Sequence, residues 1–203
     1  MNFLRVYFSQ RQVCPNQPFT GGTRCCHASR LCFPAPLHYF PELMNDPIIQ
    51  PLQNAAEARF CAAFMAASEP WLTLGFTAEQ AFQRLTDPAR EVHVAAADRQ
   101  ITGVLSLHLA GLLNGYIQIL AVHPDWRGRG LGMQLMRFAE ERIFRQSPNV
   151  FLCVSAFNQR AQTFYERLGY QRVGELPDFL VPGQAEIILR KTRGPLLGFK
   201  PEK

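Results

Sequence analysis

Residues 127–132 read Arg-Gly-Arg-Gly-Leu-Gly, and they join an apolar run to an amphipathic helix. The run, Tyr116 to Val122, reads as a buried strand. His123-Pro124-Asp125 ends it, because proline has no N–H to give to a β-ladder. Behind Gly132, residues Leu135, Met136, Ala139 and Ile143 recur at helical spacing, and the pattern runs to about Arg145. A strand, a glycine-rich turn and a helix start together form an anion cradle. Glycines let the backbone approach closely, successive N–H groups point at one place, and the helix N-terminus favours negative charge. This loop therefore reads as a phosphate holder, and the rest of the chain has to fold around it.

The neighbouring residues narrow the phosphate. A dinucleotide fingerprint needs glycine at 133, where Met133 stands, and a P-loop needs Lys-Ser or Lys-Thr after its last glycine. A nucleotide-binding domain is disfavoured on both counts. What remains is Arg127-x-x-Gly130-x-Gly132, placed after a Val122-x-Pro124 strand end. About thirty residues on comes Asn158-x-x-Ala161-x-x-Phe164-Tyr165-x-x-x-Gly169-Tyr170. In order and at this separation, the two signatures resemble those of the GNAT superfamily of N-acetyltransferases, which grip acetyl-coenzyme A (acetyl-CoA). The resemblance covers roughly residues 46–192 and is greatest to bacterial enzymes that acetylate protein amino termini. It implies an α/β fold: a mixed, mostly antiparallel sheet with a parallel central strand pair and helices on both faces.

Charge and cysteine usage bear on the ends of the chain. The formal charge is +5, but Arg5, Arg11, Arg24 and Arg30 against Glu42 alone place +3 of it in residues 1–43. The other 160 residues carry only +2, which is no footprint for nucleic acid. Four of the six cysteines, Cys14, Cys25, Cys26 and Cys32, also lie in 1–43, with five prolines and no period. Cys25-Cys26-His27 with Cys32 lacks a paired C-x-x-C, so no metal site is expected. Residues 1–43 read as a disordered or spurious extension. A natural start at Met44 is preferred over plain disorder, with an arginine-rich transit peptide as a third reading. The domain is expected over 44–193, with a loose tail at 194–203. No apolar run is long enough to span a bilayer. Cys61 and Cys153 read as small core residues, and the protein is expected to be cytoplasmic, a monomer or homodimer.

Between these ends the elements follow from period and punctuation. Ile48 to Leu52 reads as a short edge strand. Asn54 would cap a helix from Ala55 to about Ser68, with Phe60, Cys61, Phe64 and Met65 on one face. Thr77-x-x-Gln80 is a capping box for a second helix through Leu85, with Ala78, Phe82 and Leu85 as its stripe. Val92–Ala97 and Ile101–Leu109 form a hairpin around Asp98-Arg99-Gln100 and lead on to the Tyr116–Val122 strand. On the helix after Gly130, Glu140, Glu141 and Arg145 should face water. Val150–Ala156 must run parallel to the preceding strand, since a helix connects them. Asn158 caps a further helix on which Ala161, Phe164 and Leu168 pack, and Gly169 stops it. Strands Tyr170–Glu175 and Ala185–Lys191 close the domain.

The resemblance also implies a site. Acetyl transfer needs stabilisation of charge on the thioester oxygen and then on the leaving sulfur. In the family the central strand splays from its parallel neighbour, leaving N–H groups unpaired. Here the splayed stretch would be Leu120, Ala121 and Val122, with the Val122 N–H polarising the carbonyl. The N–H groups of Arg127, Gly128, Arg129, Gly130, Leu131 and Gly132 would take the pyrophosphate. Asn158 would hold the pantetheine arm, cap its helix, or do both. Tyr165 is the candidate general acid. The glutamate that many relatives carry four residues before Val122 is replaced by Gln118, which takes no proton and would only touch the acceptor. His108 and Glu186 are the substitute bases to test, with loss of the proton through water as the alternative. Trp71 and Phe76 either anchor the core or wall the acceptor site. The reading is an acetyl-CoA-dependent transferase acting by direct attack of a primary amine, on a small molecule or a protein amino terminus. A non-catalytic acyl-CoA-binding or sensing module is the alternative.

Overall fold

A computed structural model describes residues 46–111 and 113–200. The expectations for residues 1–43 lie outside the described residues. One seven-stranded sheet carries the domain. Its strands are β1 (Ile48–Pro51), β2 (Glu91–Ala97), β3 (Gln100–His108), β4 (Tyr116–Val122), β5 (Asn149–Ser155), β6 (Gln171–Leu176) and β7 (Glu186–Thr192). The spatial order is β1-β2-β3-β4-β5-β7-β6, so the last strand inserts between β5 and β6. Every neighbouring pair is antiparallel except β4–β5. The β2–β3 hairpin turns on Asp98 and Arg99, both at positive φ (48° and 65°). That is the two-residue turn whose twist matches a hairpin.

Two helices cover one face of the β2–β4 half. In α1 (Ala55–Ala66) the Asn54 side chain accepts from the Glu57 N–H, as expected of a cap. In α2 (Ala78–Leu85) the Thr77–Gln80 capping box is complete. Their inner residues Ala58, Cys61, Met65, Ala81 and Leu85 pack on Val94, Val104, Ile119 and Ala121. Two expected core positions differ. Phe60 is 46% exposed, and Ala81 rather than Ala78 is buried on α2. A stripe read at 3.6 residues per turn is uncertain by one position at its edges.

The opposite face carries α3 (Leu131–Phe144) and α4 (Gln159–Arg167). Leu131, Leu135, Met136, Ala139 and Ile143 meet Leu105, Leu107, Ile117, Val150, Leu152, Ile187 and Leu189 in the larger core. Glu140 does not face water. Its carboxylate accepts from Lys191 Nζ at 2.7 Å and ties α3 to β7. On α4 the buried residue is Tyr165, 9% exposed, while Phe164 and Leu168 are half-buried beside it. Asn158 caps α4, accepting from the Ala161 N–H at 3.1 Å.

The feature that shapes the site is in β4. Ser106 pairs with Ile119 and Leu107 with Ile117, so Gln118 has no partner on β3 and forms a bulge. The extra residue reverses which face each side chain takes. Ile117 belongs to the α3 core, whereas Ile119 and Ala121 belong to the α1–α2 core. The same bend separates β4 from its parallel neighbour, since Tyr116↔Phe151 and Ile117↔Leu152 are their paired positions. Past the bulge the strands diverge, as the splay implied by the resemblance requires.

Candidate active site

The gap beyond the bulge is lined by backbone. The His123 N–H donates to Thr102 O on β3 at 2.8 Å. Residues in an extended strand alternate direction, so Val122 and Leu120 turn their N–H groups away from β3, into the gap. Ala121 points its side chain the other way, into the α1–α2 core. At the end of β4, the Val122 carbonyl accepts from Arg127 Nε at 3.2 Å. The Arg127 side chain is thus folded back onto the strand end.

The loop has the form of the expected cradle. Gly128 and Gly130 have φ of 77° and 83°, and a Cβ on either would meet nothing within 4 Å. Leu131 and Gly132 open α3, where N–H groups have no carbonyl one turn back to bond. From Met133 onward the N–H groups are used, beginning with Met133 and Gln134 on Gly130 O. The Arg127 N–H is engaged with Pro124 O at 3.3 Å, so the donor row starts one residue later than expected. The Arg129 guanidinium lies 5.0 Å from the Trp126 ring centroid. A Cβ on Gly132 would stand 3.6 Å from Phe164 and 3.9 Å from Val122, so α4, α3 and the end of β4 converge there. Open glycine backbone, a helix start and two arginines fit a pyrophosphate, and the outward N–H groups of β4 fit an amide-bearing arm beside it.

On the other side of the sheet the floor is open. On β5, Val150, Leu152 and Val154 are buried against α3 and α4, whereas Phe151 and Cys153 on the opposite face keep partial exposure. Register sets Glu186 beside Ser155, Ile188 beside Cys153 and Arg190 beside Phe151 on that face. Tyr116 and His108 pair across β4–β3 on the same side. Phe151, Cys153, Tyr116 and His108 are all partly exposed on this face, which is the floor of the candidate acceptor side.

Glu186 is its main charged group. It is 3% exposed, and its carboxylate accepts from Ser155 Oγ at 2.5 Å. Burial pushes its pKa above the usual carboxylate value, and the Ser155 hydrogen bond offsets part of that. Burial likewise raises the Cys153 thiol and the Tyr116 hydroxyl. The two groups affect each other, and both feel the Glu186 charge. Glu186 therefore lies near Cys153 and Tyr116 as well as Ser155. Gln118 stands at the bulge with a buried Oε1 that no group among the described residues satisfies. His108 sits further back, level with Tyr116, where β4 and β5 are still paired. It adds a small share to the lowering of the Asp87 pKa, after the Ala89 N–H and the paired Arg90.

The remaining expected residues fall into place around this floor. Burial raises the Tyr165 pKa, and the ring packs edge-on against Phe164 and Tyr170. Trp71 and Phe76 are half-buried against the α1–α2 core. Phe76 also supports the Arg84 guanidinium, 5.0 Å from its ring centroid. Sequence reasoning did not single out Tyr116, Ser155 or Arg84. Tyr116 was only the first residue of an apolar run, and the Ser155–Glu186 pairing depends on β7 lying beside β5. Among the described residues no His, Cys, Asp and Glu group could hold a metal ion, and no helix is long and apolar enough to cross a membrane.

A β-strand splayed from its parallel neighbour at a bulge, with an anion cradle at its end, defines an acyl-CoA-dependent transferase fold. The family model described as the acetyltransferase (GNAT) family matches residues 53–170, more than half of the chain. The chain belongs to that family, and it is an acetyl-CoA-dependent acyltransferase that moves acetyl groups to amines. It is similar to an uncharacterized N-acetyltransferase of Methanocaldococcus jannaschii, 32% identical over 52% of this chain and 70% of that one. It is also similar to the N-alpha-acetyltransferase RimI of Mycobacterium tuberculosis, 26% identical over 64% of this chain and 82% of that one. A crystal structure of an aminoglycoside 6′-N-acetyltransferase complexed with coenzyme A shares the fold. Its TM-score is 0.59 at 16% identity, covering 76% of this chain and 99% of that one.

Proposed function

We propose that the chain acetylates a primary amine by direct attack, with Glu186 as the base that receives the amine's proton. The observation that carries this reading is the position of Glu186: buried, raised in pKa, and level with Ser155 where β4 has left β5. A primary amine is mostly protonated at neutral pH, with pKa about 7.7–8.0 for an α-amino group and about 10.4 for a lysine. A carboxylate with a raised pKa is a better match to such an acid than an ordinary one. His108 is set aside as base because it stands behind the gap, beside paired strand.

Acetyl-CoA supplies the thioester carbonyl and a thiolate leaving group. The cradle from Gly128 to Gly132 receives its pyrophosphate, and the Leu120 and Val122 N–H groups direct the arm. The Val122 N–H donates to the carbonyl oxygen as charge builds there. Gln118 Oε1, which has no donor of its own, accepts from the ammonium of the acceptor and aims its nitrogen at the gap. Glu186, steadied by Ser155, takes the proton. Tyr165 holds the proton that the departing sulfur requires; among the described residues nothing hydrogen-bonds its hydroxyl. Asn158 keeps its Oδ1 on the helix cap and has its amide N–H groups left for the arm. The test is thiol release from acetyl-CoA with a panel of amines, alongside calorimetric binding of acetyl-CoA alone. Binding with amine-dependent thiol release supports the proposal. Binding without release for any amine, from mildly acid to alkaline pH, defeats it.

A further inference from the structure

The end of β4 keeps a β-ladder on one side only. Its last pairing with β5 is at Ile117, five residues before Val122. On the other side β3 stays paired, with Gly103 opposite Val122 and the His123 N–H on Thr102 O at 2.8 Å. A strand end with a single ladder is freer to move than one paired on both sides. A cluster of three rings restrains it further. The His123 ring lies on the α1 side, parallel to Phe60, with centroids 6.0 Å and planes 9° apart. Phe64 meets the same ring edge-on at 5.5 Å, and the two phenylalanines meet each other at 5.9 Å. The Nδ1 of His123 accepts from the Asp125 N–H at 3.4 Å, which fixes the ring within that stack. Phe64 belongs to the core at 8% exposure, but Phe60 is 46% exposed, so burial does not account for where its ring lies.

From this geometry we infer that Phe60 and His123 are positioning residues: their stack sets the tilt of the β4 end and so aims the Val122 N–H at the thioester carbonyl. The inference rests on the acetyl-transfer reading and adds to it the means by which the donor is kept in line. His123 follows Val122 directly, so a shift of its ring passes to Val122 through one planar peptide unit. On the opposite face the Val122 side chain stands over the start of α3, where a Cβ on Gly132 would lie 3.9 Å from its Cγ2. The two neighbours are thus held from opposite faces of the sheet, His123 by α1 and Val122 by α3. Ring contacts suit this task because they prefer particular orientations, unlike aliphatic packing. An N–H donor stabilises the transition state only when it is aimed at the place where charge develops, so a small misplacement costs rate.

The experiment compares the full chain with Phe60→Leu, Phe60→Tyr, His123→Asn and the double variant of Phe60→Leu with His123→Asn. Leucine keeps an apolar group on α1 without the ring, tyrosine keeps the ring, and asparagine keeps an acceptor for the Asp125 N–H. Thermal midpoint and the Kd of coenzyme A, which lacks the thioester carbonyl, should stay near the parent's in all of them. Thiol release with an amine that the parent turns over gives kcat and KM. Infrared difference spectra of bound acetyl-CoA, labelled with carbon-13 at the thioester carbonyl, read the Val122 hydrogen bond without turnover. Phe60→Leu and His123→Asn should each lower kcat about tenfold, less than the roughly 10²–10³ lost with a whole oxyanion donor. The amine KM should stay within about twofold, and the carbonyl band should move to higher wavenumber. Phe60→Tyr should match the parent in both readouts. The double variant should lose little more than either single, because all three lack the same contact. Parent-like kcat and carbonyl band in Phe60→Leu overturn the inference, as do losses that add in the double variant. A defect in coenzyme A Kd or thermal midpoint that accounts for the lost rate also overturns it, in favour of general packing. If the parent binds acetyl-CoA but turns over no amine, the transfer reading fails, and the carbonyl band alone decides: an unmoved band overturns the positioning role, and a shifted one supports it.

Discussion

Replacing Glu186 by glutamine separates a catalytic carboxylate from a structural one, because the two roles give opposite signs for stability. Glutamine has nearly the same shape and keeps an oxygen for the Ser155 hydroxyl, now 2.5 Å from the carboxylate. That hydrogen bond weakens from roughly 1.5–3 kcal/mol for a charged acceptor to about 1 kcal/mol for a neutral one. Against this loss stands relief from holding a charge in a site that is 3% exposed. Burial outweighs the Ser155 hydrogen bond, since the Glu186 pKa lies above its ordinary value. The native protein therefore holds this proton more tightly than the unfolded chain does. Its stability falls as pH climbs from the ordinary carboxylate value through the raised one, and stays lower above it. Glu186→Gln lacks that fall, so its unfolding free energy in urea should exceed the parent's at neutral pH and converge with it in acid. Activity should move the other way. Loss of a general base lowers the rate by roughly 10²–10⁴, about 2.7–5.4 kcal/mol in transition-state stabilisation. The acid limb of the pH–rate profile, set by the raised Glu186 pKa, should vanish. A variant that is less stable at neutral pH and keeps its rate and acid limb would mean that Glu186 only supports β7 against β5.

Two further substitutions test the cradle and the acid. Gly130 has φ of 83°, so Gly130→Ala places an L-residue in left-handed backbone at a cost of roughly 1–2 kcal/mol. Its Cβ meets nothing within 4 Å, so the fold should persist while acetyl-CoA Kd, read by calorimetry, weakens about tenfold or more. An unchanged Kd would remove the loop from the binding site. Tyr165→Phe removes a hydroxyl that no described residue hydrogen-bonds, so the thermal midpoint should hold. Its kcat should fall by roughly 10²–10⁴, less so with a donor whose leaving thiol is more acidic, and a donor-independent defect would point to packing instead.

What could be read from sequence and what could not divide along physical lines. The cradle was legible because each part is local: the proline stop, the left-handed glycines and the helix start occupy sixteen consecutive positions, 116–131. The caps at Asn54, Thr77 and Asn158 were legible for the same reason, since each side chain bonds a backbone N–H three residues on. On α4 the expected stripe Ala161, Phe164 and Leu168 does pack against the core, but the most deeply buried ring is Tyr165. Helical spacing gives the direction of a side chain to within one position, and packing against Tyr170, just before β6, decided the rest.

The acceptor side was illegible for a deeper reason. Tyr116 to Val122 is a continuous apolar run apart from Gln118, and an apolar run carries no alternation from which a bulge could be read. Yet the bulge does two things at once. It moves Ile119 and Ala121 onto the face opposite Ile117, and it opens the gap between β4 and β5. Glu186 enters that region only because β7 lies between β5 and β6, a non-sequential order that no local pattern encodes. The proposed role of Glu186 draws on the same insertion: with a carboxylate arriving from β7 beside Ser155, the strand that carries the outward N–H groups would not also have to carry the base. A neutral side chain at the bulge then leaves Glu186 without a like charge on β4 that would compete for the same proton.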